Sequence, residues 1–102
     1  MTTSITGFQE RCLEECRNLF RQIPTLRYGD FEKILGKAET YFKATADGPH
    51  HAFEVYVYED EAGYMLDGKR WTIFERPDYR SQKELLEAFL KSLRGRLLDI
   101  AK

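Results

Sequence analysis

A chain of 102 residues, 42% hydrophobic and 32% charged, has the length for one α+β domain over residues 1–102 and little room for a second. Seven Phe, six Tyr and one Trp exclude a disordered chain, and 16 Lys and Arg against 17 Asp and Glu leave a charge of -1, which argues against bulk polyanion binding. No run approaches the roughly 18 apolar residues of a membrane span, and the opening MTTSITGFQE lacks the basic start and apolar stretch of a secretory signal, so a cytoplasmic location is expected.

The first helix is predicted over residues 7–23. Phe8, Cys12, Cys16, Leu19 and Ile23 form one stripe with Leu13 and Phe20 beside it, Thr6 and Gln9 fit a capping box, and Pro24 supplies the stop. The other face carries Glu10, Arg11, Glu14, Glu15, Arg17 and Arg21, a mixed-sign surface suited to solvent. A second helix is predicted from Asp30 as cap to about residue 44, on the repeat of Phe31, Ile34, Leu35, Ala38, Tyr41 and Phe42. Residues 40–46, TYFKATA, also read as an edge strand, which would be a fourth strand.

Residues 52–59, AFEVYVYE, alternate Phe53, Val55 and Val57 against Glu54, Tyr56 and Tyr58, the pattern of a half-buried strand. EDEAG turns into a short strand at GYML, and Asp67-Gly68 signals a hairpin into KRWTIFE. There Trp71 and Ile73 share one face, while Arg70, Thr72 and Phe74 share the other. Pro77 ends the strand, Ser81 and Glu84 form the capping box of a last helix, and Leu86, Phe89 or Leu90, Leu93, Leu97 and Ile100 are its stripe, with Leu85 alongside. Gly95 is a candidate end for that helix. The expected order is α-α-β-β-β-α: a three-stranded antiparallel meander covered on one face by two N-terminal helices and one C-terminal helix. Phe53, Val55, Val57, Trp71 and Ile73 should face those helices.

The bare sheet face is then the first candidate for function. Tyr56, Tyr58, Arg70, Thr72 and Phe74, with Glu54, would gather there, and exposed aromatics with arginine are the residue types that anchor protein partners or self-association. Cross-strand pairing alone also explains them. The charge is unevenly spread along the chain. Residues 49–67 carry five acidic and no basic residues, with Glu59, Asp60 and Glu61 as an acidic patch, whereas residues 68–102 carry nine basic and five acidic ones. Such a division either steers a charged partner or cancels across the fold.

Arg76 and Arg80 around Tyr79 are the best local candidate for contact with an anion. A nucleic-acid binder would use Arg70, Arg76 and Arg80 with Tyr58 or Phe74, an alternative that the balanced charge disfavours. Lys91, Arg94 and Arg96 suit the negative end of the last helix without any ligand. A metal- or thiol-dependent enzyme would draw on Cys12, Cys16, His50 and His51, yet their spacing matches no metal signature and no catalytic motif accompanies them. Cys12 and Cys16, at i,i+4 on a helix, read as buried thiols, and no disulfide is expected because a bridge there needs unusual side-chain angles. The reading is a non-catalytic adaptor, regulator or assembly component, without cofactor, acting on a protein partner.

Overall fold

The computed structural model describes residues 7–102; the cap expected at Thr6 lies outside them. Helix α1 spans Gly7–Arg21, followed by strands β1 (Arg27–Tyr28), β2 (Glu32–Leu35), β3 (Thr40–Asp47), β4 (Phe53–Val57), β5 (Glu61–Leu66) and β6 (Arg70–Glu75). A 3-10 turn at Arg76–Asp78 leads into helix α2, Gln82–Ile100. All neighbouring strands are antiparallel, in the order β1-β3-β4-β5-β6, and β2 shares with β1 the outer side of β3.

The expected second N-terminal helix does not form. Its residues make β2 and most of β3, so the three-stranded meander under three helices is corrected to a six-stranded sheet with one helix from each end of the chain. The reason lies in β4. Val55 and Val57 are fully buried, and a strand sealed from water needs a hydrogen-bonded neighbour on each side, since each orphaned backbone group costs about 1–3 kcal/mol. With β5 on one side, β3 must supply the other, pairing Phe42 with Val57 and Ala44 with Val55. That demand exceeds a helix preference worth at most about 0.7 kcal/mol per ordinary residue. Gly36 opens the turn that reverses β2 into β3: its N–H donates to the Glu39 carbonyl at 3.1 Å, and a Cβ there would stand 2.6 Å from that oxygen.

Both helices lie on the face that carries Phe53, Val55, Val57, Ala44, Ala46, Ala62 and Tyr64, and one continuous core results. From α1 come Phe8, Cys12, Leu13, Cys16 and Phe20; from α2 come Leu85, Leu86, Phe89, Leu93, Leu97 and Ile100. The Tyr64 hydroxyl is satisfied by hydrogen bonding to Ser92 on α2. Ser81 caps α2 by accepting from the Glu84 N–H at 3.2 Å, and the Glu84 carboxylate reaches back to the Arg80 N–H. Gly95 does not end α2, which runs five residues further.

Strand β6 sits the other way up from the expectation. Thr72 and Phe74 pair with Tyr64 and Ala62 and point to the helix layer, where Phe74 meets Phe89 edge-on at 5.8 Å. Trp71 and Ile73 pair with Met65 and Gly63 on the open face. Gly63 makes room for this. A Cβ at Gly63 would lie 2.5 Å from the Thr72 carbonyl oxygen and 3.3 Å from the Trp71 ring, so the indole covers the glycine. The hairpin expected at Asp67-Gly68 forms, both residues having positive φ (53° and 68°).

The last turn of α2 seats on the loop between β3 and β4. A Cβ on Gly48 would fall 1.8 Å from the Ile100 carbonyl oxygen, while one on Gly95 would meet nothing within 4 Å. Two alanine substitutions should therefore move stability in opposite directions. Gly48→Ala is expected to destabilise by about 2–3 kcal/mol through overpacking, and Gly95→Ala to stabilise by roughly 0.5–1 kcal/mol in mid-helix. Denaturant midpoints of the two variants check both signs.

Candidate functional site

The sheet face away from the helices carries an aromatic row. The two-residue period of β3, β4 and β6 brings Tyr41, Tyr56 and Trp71 to it, and Tyr58 joins them just past the end of β4. Tyr56 and Tyr58 are nearly parallel with ring centroids 6.4 Å apart, Tyr41 lies 4.9 Å from Tyr58, and Trp71 meets Tyr56 edge-on at 5.0 Å. Tyr56, Tyr58, Glu61, Met65, Trp71 and Ile73 line a shallow groove of about 510 Å³. Trp71 remains 40% exposed.

Charge is organised differently around Tyr56 and around Tyr58. Beside Tyr41, Lys43 Nζ stands 2.7 Å from the Glu54 carboxylate and 5.9 Å from the centre of the Tyr56 ring. Its hydrogen bond to Glu54 holds the ammonium pKa up, and burial followed by the charge of Glu54 holds the Tyr56 phenol protonated. Next to Tyr58, whose N–H donates to the Glu61 carbonyl at 2.8 Å, Glu61 lies directly across from Glu75 in the β5–β6 ladder. Among the described residues neither carboxylate has an ion-pair partner. Burial, then Glu75, Glu39 and Asp60, push the Glu61 pKa upward.

Of the residues singled out from the sequence, Tyr56, Tyr58 and Glu61 meet at the groove. Thr72 and Phe74 are turned to the helix layer, and Arg70 is exposed at the start of β6 with the same parity. The Arg76 guanidinium donates to the carbonyls of Tyr79 and Arg80, the latter at 3.0 Å, while the Tyr79 ring packs 6.4 Å from Phe74. Arg76 is thereby tied into the turn that starts α2, and Arg80 is exposed beside it. Glu59 is exposed, and Asp60 accepts from Gln82 Nε2 at 3.0 Å, so the acidic hairpin docks on the first turn of α2.

Cys12 and Cys16 are fully buried and unbridged, with burial pushing the Cys12 thiol up to about 12 and the Cys16 thiol well above its usual value. His50 is exposed, and His51 Nδ1 lies 2.9 Å from Asp67 on the surface. The four residues of the metal or thiol alternative are not brought together, and no group of three or more possible metal ligands occurs among the described residues. Nor is any described helix long and apolar enough to cross a membrane.

Sequence reasoning missed Tyr41, Met65, Trp71, Ile73 and Glu75 on this face. The available signal was Gly63. A glycine inside a strand marks a place that something must cover, and the Asp67-Gly68 hairpin sets Trp71 and Ile73 alongside it.

The electrostatics give two measurable outcomes. A thiol reagent should leave both cysteines unmodified in the folded protein and titrate both after denaturation. Glu61→Gln should raise stability near neutral pH by roughly 0.2–1 kcal/mol, because like charges across a ladder repel. With its folded pKa raised above the ordinary 4.5, Glu61 costs stability at higher pH, and that cost disappears as pH falls through the folded pKa. The gap between variant and wild type should therefore close on acidification. Asp30 and Asp67 run oppositely: Arg17 and His51, respectively, lower their pKa values, so their stabilisation is present above the usual aspartate range and lost below it. Thermal melts of both proteins across that range separate the effects, and a variant less stable than wild type at neutral pH would refute the repulsion.

No protein-family model matches the chain, and no curated protein and no solved structure matches it either.

Proposed function

We propose that the chain is a non-catalytic interaction domain that binds a protein partner through the open face of its sheet. The observation that carries this reading is the aromatic groove of Tyr56, Tyr58 and Trp71, formed on the sheet face that neither described helix covers. An antiparallel sheet tolerates water on one face, but that face is then ordinarily polar. Here it holds tyrosines, an indole, Met65 and Ile73 among its charged residues. Tyrosine and tryptophan supply large, rigid contact areas and are enriched where partners bind.

The sheet supplies rigidity as well as area. Tyr56 and Trp71 stand on strands paired through several registered residues, so little ordering remains to be done when a partner arrives. Tyrosine pairs would also form for sheet stability alone, but that purpose does not call for an open groove. A nucleic-acid ligand is disfavoured by the carboxylates at the groove and by the engagement of Arg76 with backbone carbonyls. A cytoplasmic setting belongs to the same reading and is supported by two buried cysteines kept as free thiols.

The double variant Tyr56→Ala/Tyr58→Ala tests the face. After its fold is checked by circular dichroism, it should lose at least tenfold in retention of proteins that bind the wild-type chain, or lose a self-association that wild type shows. Unchanged retention together with an unchanged oligomeric state would refute the reading.

A further inference from the structure

We propose that the groove takes an arginine or lysine side chain from a basic segment of the partner protein, held over the Tyr58 ring by the carboxylates of Glu61 and Glu75. The proposal rests on the open face being the partner surface and adds what the partner must bring. No Lys or Arg lines the groove, while Glu61 does, and Glu75 stands directly across the ladder from it. Any partner that seals this face removes both carboxylates from water. Burying charges without a counter-ion is costly, so an apolar or acidic occupant would be opposed where a cation would be favoured.

The same face already holds an example of the required geometry. Lys43 sits above the Tyr56 ring while its ammonium contacts Glu54, a cation placed between an aromatic face and a carboxylate. Two residues further along the chain from Tyr56, the Tyr58 ring and the carboxylates of Glu61 and Glu75 offer the same chemistry without the cation. Glu39, near enough to raise both the Glu61 and Tyr58 pKa values, extends the negative potential around the groove and would favour approach of a basic segment.

Trp71 is the only tryptophan in the chain, so its fluorescence reports on the groove directly. The probes are three peptides of equal length: an arginine-glycine repeat, its neutral citrulline-glycine counterpart and a glutamate-glycine repeat. Binding is followed by Trp71 emission and by calorimetry. The arginine peptide should give a saturable response that weakens as salt rises, at least tenfold tighter than the citrulline peptide, with none from the glutamate peptide. The double variant Glu61→Gln/Glu75→Gln, which loses a repulsion and should fold, is expected to bind the arginine peptide at least fivefold more weakly. Equal responses to arginine and citrulline peptides, an unaffected double variant, or no binding of the arginine peptide would each overturn the cation site. Any of these together with loss of protein retention in Tyr56→Ala/Tyr58→Ala would leave the partner face standing without its cation. Arginine-peptide binding with retention unchanged in that variant would instead overturn the protein partner.

Discussion

The structure depends on the hydrogen-bond ladder along β3. Thr40–Asp47 pairs with β4 on one side and with β2 and β1 in succession on the other, so a single strand joins the N-terminal third of the chain to the meander. Through this pairing β4 becomes an interior strand, able to bury Phe53, Val55 and Val57 completely without stranding its backbone groups. Burying each of these side chains contributes on the order of 1.5–3 kcal/mol, and that gain is available only when both neighbours are present. The sheet in turn offers one apolar face wide enough for two helices. With both helices used on that face, the other is left to solvent.

The two-residue period then decides which residues meet on each side. Once Val55 is turned inward, the registers assign Tyr64 and Thr72 inward with it and Tyr56 outward. Met65 and Trp71 share the outward parity, and so do Glu61 and Glu75, four residues along the same strand pair. Placing two carboxylates opposite one another works against stability. Three other acids of the same stretch have side-chain partners, Glu54 with Lys43, Asp60 with Gln82 and Asp67 with His51, while Glu59 is exposed. Of these partners only Lys43 carries a standing positive charge, so the acidic excess of this stretch persists and includes the groove.

Much of this was legible in the sequence where one periodicity dominated. The stripes of α1 and α2, the alternation of β4, the Ser81 cap and the Asp67-Gly68 turn each carry a local signal, and each is present in the fold. Residues 31–44 carried two periods at once. Phe31, Ile34, Leu35, Ala38, Tyr41 and Phe42 repeat at helical spacing, yet Tyr41, Lys43 and Thr45 also alternate with Phe42, Ala44 and Ala46. What resolves the ambiguity is the unpaired side of β4, a non-local requirement that a window of sequence cannot express. The same limit explains β6, where both faces offered aromatic residues. Gly63, on the neighbouring strand, settles which of them stays outside, and the groove could be read only in part for that reason.

The contact between Gly48 and the carbonyl of Ile100 has a consequence for how the chain is made. It ties the loop before β4 to the final turn of α2, and Thr25 adds a bond to the Ala101 carbonyl at 2.9 Å. During synthesis the strands emerge before the helix that covers much of their apolar face, since Leu85, Phe89, Leu93 and Leu97 all come later. Until α2 emerges the apolar face of the nascent sheet is covered by α1 alone, and the core closes in a late step. That interval, more than the finished fold, is where aggregation would compete and where a chaperone would have something to hold.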